Sequence, residues 1–192
     1  MQSSFATIIG AAVFSTTAAA YSNNALADDN CRTINPDYER VCGTIDSKLL
    51  QSIDDLGGCF KMTVKAASKW NASGVRLLAG HIYAFTIQKE KYEWKDKSIA
   101  STAQGWPKGT IDSMPLWQRP FITASEPFRR APDHNWFELT GMTAEVGETI
   151  FKIMGEPKPL EASGEFCAFA NDLPWMYDNN IGSMMLRVTR EK

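Results

Sequence analysis

The residues best suited to chemistry lie in one short segment, residues 169–183. Ten consecutive residues of this segment, 171–180, contain two aspartates and three asparagines: Asp172, Asp178, Asn171, Asn179 and Asn180. Calcium takes about six to eight oxygen ligands, which carboxylates, amide oxygens and main-chain carbonyls supply. None of the ten residues is a histidine or a cysteine, which argues against zinc or copper at this place. The segment is therefore a candidate site for a hard cation, and a hairpin loop rich in turn-forming residues is the alternative.

A second kind of chemistry needs two carboxylates. Asp133 and Glu138 are the pair to consider for a glycoside hydrolase, whose carboxyl groups stand about 5–10 Å apart across a cleft. Two surface acids are the simpler interpretation, and we expect that the protein is not an enzyme. The chain has two histidines, His81 and His134, which excludes a three-histidine metal centre and the H-E-x-x-H zinc motif. The G-x-G-x-x-G, G-x-x-x-x-G-K-[ST] and G-x-S-x-G signatures are also missing.

The composition is that of a globular protein that does not bind nucleic acid. Of the 192 residues, 44% are hydrophobic and 22% are charged, which is more apolar than a disordered chain. Twenty basic and 22 acidic side chains give a net charge of −2. An acidic balance without a cluster of lysine and arginine argues against a nucleic-acid partner.

The first 27 residues have the composition of an export signal. They carry no charged side chain, residues 5–20 are apolar with interspersed Ser and Thr, and Ala25-Leu26-Ala27 fits a small-x-small cleavage pattern. A transmembrane anchor is the alternative, but a span needs roughly 20 mostly apolar residues. We therefore predict a signal peptide over residues 1–27, a secreted or periplasmic protein, and no membrane insertion once the signal is removed.

Four cysteines in an exported chain predict two disulfide bonds. Cys31, Cys42, Cys59 and Cys167 allow three pairings. We favour Cys31–Cys42, which closes a short loop, together with Cys59–Cys167, which joins distant parts of the chain.

Residues 28–59 are predicted to form a cysteine-containing N-terminal extension with one short accessory helix. The helix is predicted over residues 46–57, with Asp46 or Ser47 as its cap and Gly57 as its stop. Its apolar residues have helical spacing, and they are Leu49, Leu50, Ile53 and Leu56.

From residue 60 onward, apolar residues alternate with polar ones, as in strands with one solvent-facing side. Strands are predicted over residues 60–66, 75–78, 81–88, 136–140, 150–154, 165–171 and 183–190, and a turn over residues 71–74. Short strands separated by turns, without helices between them, predict an all-β fold. We expect residues 60–192 to form an antiparallel, jelly-roll-like β-sandwich.

Residues 89–135 have little periodicity, and long irregular segments in compact domains tend to be functional loops. They contain Trp94, Trp106 and Trp117, whose rings could stack on the C–H face of a sugar. His81, at the start of an alternating strand, is predicted to be structural.

Residues 171–183 resemble the calcium loop of the PA-IL type bacterial galactophilic lectins. The matching residues read Asn171-Asp172-x-Pro174-x-x-Tyr177-x-Asn179-Asn180-x-Gly182-Ser183, and the final strand follows them. Residues 64–85 are similar to the opening hairpin of that family, and Pro132-Asp133 stands where the family has a Pro-Asp pair in its sugar-contacting loop. The similarity covers roughly residues 60–190, and the last loop is its specific part.

The resemblance implies a galactose-binding β-sandwich that holds one Ca²⁺, with sugar hydroxyls coordinated directly to the ion. The implied metal ligands are the side chains of Asp172, Asn179 and Asn180, the Met176 carbonyl, and Asp96 from residues 94–96. The implied sugar contacts are Asp133, His134, Asp172, Leu173 and Asn179. The predicted function is that of an exported, calcium-dependent lectin-like protein whose partner is a galactoside or related glycan, and assembly into an oligomer would raise its avidity.

Three positions depart from the family's pattern. Ala131 stands where the family has a histidine, His134 where it has a glutamine, and Asp178 where it has a small residue. The sugar-facing positions have therefore changed more than the metal-facing ones. An exported, non-catalytic interaction or structural β-sandwich module is the alternative function.

Overall fold

Two β-sheets packed face to face form the framework of the described residues. A computed structural model describes residues 30–88, 93–145 and 147–191. The signal peptide predicted over residues 1–27 lies outside these described residues. In the part of the chain that is described, no helix is both long enough and apolar enough to cross a membrane.

Short strands, two short helices and isolated 3-10 turns make up the regular structure of the described residues. The strands are β1 (Arg32–Ile34), β2 (Gln51–Ser52), β3 (Cys59–Lys65), β4 (Asn71–Leu77), β5 (Ile82–Ile87), β6 (Glu93–Asp96), β7 (Ile99–Ala100), β8 (Leu139–Ala144), β9 (Glu148–Lys152), β10 (Lys158–Pro159), β11 (Gly164–Ala170) and β12 (Asn180–Arg190). The helices are α1 (Thr110–Ser113) and α2 (Arg119–Ser125), and the 3-10 turns are Ser47–Leu49, Asp54–Leu56, Glu126–Phe128 and Tyr177–Asn179.

The strand order confirms the all-β sandwich expected from the sequence. One sheet has the order β1-β3-β12-β5-β10, with β6 pairing with both β12 and β7, and the other has the order β2-β4-β11-β8-β9. Most pairs are antiparallel, as predicted. The N-terminal segment adds one short parallel strand to each sheet, because β1 runs parallel to β3 and β2 runs parallel to β4.

The core between the sheets is built from alternate residues of the central strands. From β3 and β12 the buried side chains are Phe60, Met62, Val64, Met184, Leu186 and Val188. Phe166 of β11 contacts them from the opposite sheet, and its ring centroid lies 6.2 Å from that of Phe60 and 5.6 Å from that of Phe85. The alternation predicted for residues 60–66 and 183–190 is therefore confirmed.

Two disulfide bonds attach the N-terminal segment to the sandwich, and the favoured pairing was wrong. They join Cys31 to Cys59 and Cys42 to Cys167, with Cα–Cα distances of 5.1 and 6.2 Å. The parallel register of β1 on β3 places Cys31 beside Cys59. Cys167 lies on β11 in a second apolar cluster that also contains Cys42. The predicted pairs Cys31–Cys42 and Cys59–Cys167 are therefore not formed.

The helix predicted over residues 46–57 is also wrong. The segment forms two 3-10 turns on either side of β2, which pairs with β4. Leu49 is 70% exposed, whereas Ile53 and Leu56 are buried in the main core. Strand pairing with a distant part of the chain therefore overrides the helical spacing of these residues.

The turn predicted over residues 71–74 is in fact the first half of β4. Asn71 is fully buried there. Its side chain accepts the Lys65 N–H at 2.8 Å and donates to the Ala168 carbonyl at 2.9 Å. An asparagine that suits a turn by composition instead links the ends of two strands.

The strand predicted over residues 136–140 begins three residues late, at Leu139. Phe137 has a φ of 59°, a left-handed conformation that a strand does not contain. Residues 136–137 therefore belong to the turn that precedes β8.

Candidate functional site

Four of the predicted metal ligands come from four places in the chain. Asp172 follows β11, Asn179 ends a 3-10 turn, and Asn180 begins β12. Asp96 ends β6 and lies opposite Asn180, because β6 pairs with β12. The Asn179 side-chain N–H donates to Asp96 Oδ1 at 3.3 Å. Residues separated by more than 70 positions in sequence thus become neighbours through one strand pair.

The loop between β11 and β12 is held by short-range hydrogen bonds and one buried ring. The Leu173 N–H donates to Asp172 Oδ1 at 2.7 Å, and the Met176 N–H donates to the Leu173 carbonyl at 3.0 Å, which closes a tight turn. Pro174 suits the second position of such a turn because its φ is fixed. Tyr177 is 1% exposed, and its hydroxyl donates to the last carbonyl of β11 at 2.5 Å.

Three buried oxygen atoms at this place have no hydrogen-bond donor. They are Asp172 Oδ2, Asn179 Oδ1 and Asn180 Oδ1. The nitrogen of each amide is engaged, since Asn180 donates to the Ala66 carbonyl at 3.3 Å and Asn179 donates to Asp96. A buried polar atom left without a partner costs about 1–3 kcal/mol, so such atoms are rare. Carboxylate and amide oxygens are the ligands that calcium takes, and this donor set fits a hard divalent cation.

Burial disfavours the ionised form of both carboxylates at this place. Burial, together with the nearby charge of Asp172, raises the pKa of Asp96 to about 7. Burial also raises the pKa of Asp172, although the Leu173 N–H and the Asn180 side chain offset part of this rise. A divalent cation would favour the ionised forms of both groups, because it supplies the opposite charge.

Met176 and Leu173 contribute main-chain groups to the same loop. The Met176 carbonyl accepts the Asn179 N–H at a long 3.4 Å, which leaves one of its lone pairs available for a further partner. Leu173 follows Asp172 directly and is half-buried. Both predicted residues therefore lie beside the cluster of candidate ligands.

Asp133 and His134 line a cavity of about 260 Å³ whose other walls come from β8, β9 and residues 159–161. Asp133 is exposed, whereas His134 is partly buried. None of the four candidate metal ligands is among the described residues that line this cavity.

Asn171 ties the loop of the Pro-Asp pair to the loop of the candidate ligands. Its Oδ1 accepts the Ala131 N–H, and its Nδ2 donates to the carbonyls of Ala131 and Asn135, each at 2.9 Å. The Arg130 N–H adds a bond to the Asp172 carbonyl at 3.2 Å. All the side-chain polar atoms of Asn171 are thus engaged, and this residue positions two loops and is not itself a ligand.

Glu138, the second carboxylate of the hydrolase alternative, has the wrong electrostatics for a proton donor. Its carboxylate lies 3.6 Å from His134 Nδ1 and 3.9 Å from Lys152 Nζ, and it accepts the Asn135 N–H at 2.8 Å. Burial raises its pKa, but His134, Asn135 and Lys152 together lower the pKa below its ordinary value. A general acid of a glycosidase needs a raised pKa.

Two of the three tryptophans predicted as possible stacking residues are engaged elsewhere. Trp94 is 2% exposed, and its indole N–H donates to the Phe137 carbonyl at 3.1 Å. Trp106 stacks on Trp136 with ring centroids 5.1 Å apart. His81 is half-buried just before β5, where its carbonyl accepts the Leu160 N–H at 3.1 Å, in keeping with a structural role.

Trp117 and Trp175 are the highly exposed tryptophans of the described residues, at 68% and 62%. Trp117 lies between α1 and α2. Trp175 lies in the tight turn that follows Asp172, and it was not singled out from the sequence. The sequence signal that could have identified it is its position three residues after the candidate ligand Asp172.

The described residues contain one close group of three histidine, cysteine or acidic ligand atoms, from Cys42, Glu165 and Cys167. The two cysteines form a disulfide bond. Glu165 accepts hydrogen bonds from the Arg40 guanidinium and from the Gly74 N–H at 2.9 Å. This group is a structural ion pair and not a metal site.

Comparisons with known proteins give matches among solved structures only. No protein-family model matches the chain, and no curated protein matches it. A solved structure titled "EclA N-terminal domain; PllA-like lectin" aligns with a TM-score of 0.45 and 20% identity, covering 70% of this chain and 99% of that one. At that similarity the alignment assigns no property to this chain.

Proposed function

We propose that the protein is an exported, calcium-dependent carbohydrate-binding protein of the lectin kind, without catalytic activity. The observation that carries the proposal is the group of three buried oxygen atoms of Asp172, Asn179 and Asn180 that lack a hydrogen-bond donor. A bound calcium ion would satisfy all three at once, whereas no donor of the described residues bonds to any of them.

In this proposal the ion is held by the side chains of Asp172, Asn179, Asn180 and Asp96 and by the Met176 carbonyl. Two carboxylates balance the charge of a divalent cation. Burial raises the pKa of both Asp96 and Asp172, and the charge of Asp172 adds to the rise for Asp96, so their ionised forms are unfavourable without a cation. Five protein ligands are fewer than the six to eight, roughly, that calcium takes. Positions therefore remain for ligands from solution.

A saccharide supplies such ligands because two adjacent hydroxyls can replace two waters on the ion. Carboxylate and amide oxygens can accept hydrogen bonds from the sugar hydroxyls. Asp172 and Asn179 would therefore bind both the ion and the sugar. Leu173 would flank the sugar from the same loop. The separation between two hydroxyls depends on their axial or equatorial setting, so the site would select by stereochemistry, and the resemblance to galactophilic lectins favours a galactoside.

Asp133 and His134 are proposed to contact the outer part of a longer glycan. They line a cavity whose described lining lacks the metal ligands. Their loop is joined to Asp172 through the Arg130 N–H. A single sugar at the ion would therefore depend on them less than an oligosaccharide would.

Export is supported by the chemistry of the cysteines. All four form disulfide bonds, which persist in oxidising compartments and are rare in the cytosol. This supports a secreted or periplasmic location for the folded protein.

The test is sugar binding with and without calcium. We expect the protein to bind methyl β-D-galactopyranoside or an immobilised galactoside in calcium, and to lose this binding in excess chelator. The alternative of an interaction or structural module predicts calcium-dependent stability without binding to any glycan on an array. A protein whose stability and sugar binding both ignore calcium would refute the proposed function.

A further inference from the structure

We propose that Trp175 is the stacking platform for the saccharide, packing its indole against the apolar C–H face of the pyranose ring. The inference rests on the proposed function, and it assigns to that site a binding residue and a preference in its ligand. The first observation is that Trp175, a large aromatic residue in the loop between β11 and β12, is 62% exposed.

A candidate ligand holds the start of the turn around Trp175, and a hydrogen bond within the turn closes it. The Leu173 N–H is bonded to the Asp172 carboxylate at 2.7 Å, and the Met176 N–H is bonded to the Leu173 carbonyl at 3.0 Å. Trp175 therefore occupies the third position of a closed four-residue turn, after Pro174. An aromatic residue held in this way loses little conformational freedom on binding, which favours its use as a contact surface.

The distance between the turn and the candidate ligands is short. Trp175 is three residues from Asp172, so their Cα atoms are at most about 11 Å apart even if the chain were extended, and the closed turn makes the separation smaller. An indole and a pyranose are each several ångströms across. A sugar coordinated beside Asp172 is therefore within reach of this ring.

The residue after Trp175 in the turn is also apolar and exposed. Met176 is 41% exposed, and the polar atoms of Asp172 lie at the start of the same loop. Apolar side chains beside a few polar groups are typical of small-ligand sites. The loop thus offers a surface for C–H groups next to a surface for hydroxyls.

This arrangement favours a pyranose that presents both surfaces. A galactopyranose with an axial 4-hydroxyl exposes the C–H bonds of C3, C4 and C5 on one face, and its 3- and 4-hydroxyls are adjacent. The hydroxyl pair would meet the ion, and the C–H face would meet the indole. Stacking on an aromatic ring adds a free energy of about 0.5–1.5 kcal/mol, which corresponds to roughly a 2- to 12-fold change in affinity.

The test uses the full chain, with Trp117 as the matched control. Trp117 is exposed to a similar extent, 68% against 62%, and lies between α1 and α2, outside the candidate loop. Calcium binding is measured first by calorimetry, and methyl β-D-galactopyranoside is then titrated into the calcium-loaded wild type and the Trp175→Ala, Trp175→Phe and Trp117→Ala variants.

We expect Trp175→Ala to weaken sugar binding about 2- to 12-fold without changing calcium affinity, Trp175→Phe to restore most of the loss, and Trp117→Ala to behave as wild type. Unchanged sugar affinity in Trp175→Ala would overturn this inference and leave the proposed function intact. A wild type that binds calcium but not the galactoside would overturn the inference together with the sugar part of that function. A wild type that does not bind calcium would refute the proposed function itself.

Discussion

Asp96 and Asn180 lie directly opposite each other in the antiparallel pair of β6 and β12. The pairing brings the carboxylate that ends β6 to the first residue of the final strand. Asn179, next in the chain, then bonds to the same carboxylate. The candidate cation site is therefore as rigid as the strand pair that builds it, and several predictions depend on that pair.

The first prediction concerns pH. The pKa of Asp96 in the folded protein is about 7, against an ordinary value of 3.8, so the folded state retains a proton that the unfolded chain releases. The stability from that proton is complete below about pH 4 and is lost as the pH rises through about 7. In chelator, the melting temperature of the wild type should fall over this interval more steeply than that of Asp96→Asn.

Calcium provides the control for the pH experiment. A bound cation favours the ionised carboxylates, so saturating calcium should stabilise the protein more at pH 7 than at pH 5. Parallel pH profiles for the wild type and Asp96→Asn in chelator would contradict the electrostatic description of the site.

The second prediction concerns Gly182, which pairs with Trp94 across β6 and β12 and has a φ of 97°. A β-carbon at this position would collide with the main-chain carbonyl of Glu93. Gly182→Ala should force the strands apart, lower the free energy of unfolding by about 1–3 kcal/mol, and weaken calcium binding because Asp96 moves with β6.

Gly80→Ala is the matched control for this substitution. Gly80 has a φ of 77°, but a β-carbon there would meet no atom within 4 Å. Gly80→Ala should lower the free energy of unfolding only through the unfavourable positive φ, and it should leave calcium binding unchanged. Equal calcium affinity in Gly182→Ala and Gly80→Ala would show that the strand pair does not set the site.

The third prediction concerns Asn171, whose side chain makes three hydrogen bonds to the main chain of residues 131–135. Its replacement by alanine leaves the Ala131 N–H without an acceptor, which costs about 1–3 kcal/mol. It also removes one hydrogen bond from each of the Ala131 and Asn135 carbonyls, which keep those from the His134 and Glu138 N–H groups. Asn171→Ala should therefore lose at least about 2 kcal/mol of stability in urea unfolding. Asn135→Ala, an exposed asparagine on the same loop, should lose less than about 1 kcal/mol, and similar losses in the two would contradict the assigned role.

The fourth prediction concerns the disulfide bonds. Proteolysis without reduction, followed by mass spectrometry, should yield peptides linked through Cys31–Cys59 and Cys42–Cys167. Replacing Cys42 and Cys167 together by serine should cost about 2–5 kcal/mol. Recovery of a Cys31–Cys42 peptide would contradict the parallel pairing of β1 with β3.

The sequence predicts those features that depend on local alternation. The strands around Phe60 and Leu186 follow from period-two patterns that bury every second residue, because one face of each strand must meet the opposite sheet. The pattern also predicts the loop that contains Asp172, because its turn-forming residues interrupt two such runs.

Features that depend on pairing between distant parts of the chain are harder to predict from the sequence. The spacing of Leu49 and Ile53 suits a helix, but β2 finds a partner in β4 and the helix does not form. The disulfide pairing likewise depends on a parallel strand that residues 31–59 do not reveal by themselves. Asp96 was included only through a family resemblance, since nothing local links it to Asn180.

The most direct test of the calcium site is a calorimetric calcium titration of the wild type, Asp172→Ala and Asp178→Ala. Asp178 is an exposed aspartate of the same loop, so its variant controls for the loss of one negative charge. We expect the wild type to bind one calcium ion, Asp178→Ala to bind it within about threefold of that affinity, and Asp172→Ala to lose at least about 100-fold. Equal binding by Asp172→Ala and the wild type, or no binding by the wild type, would contradict the calcium site.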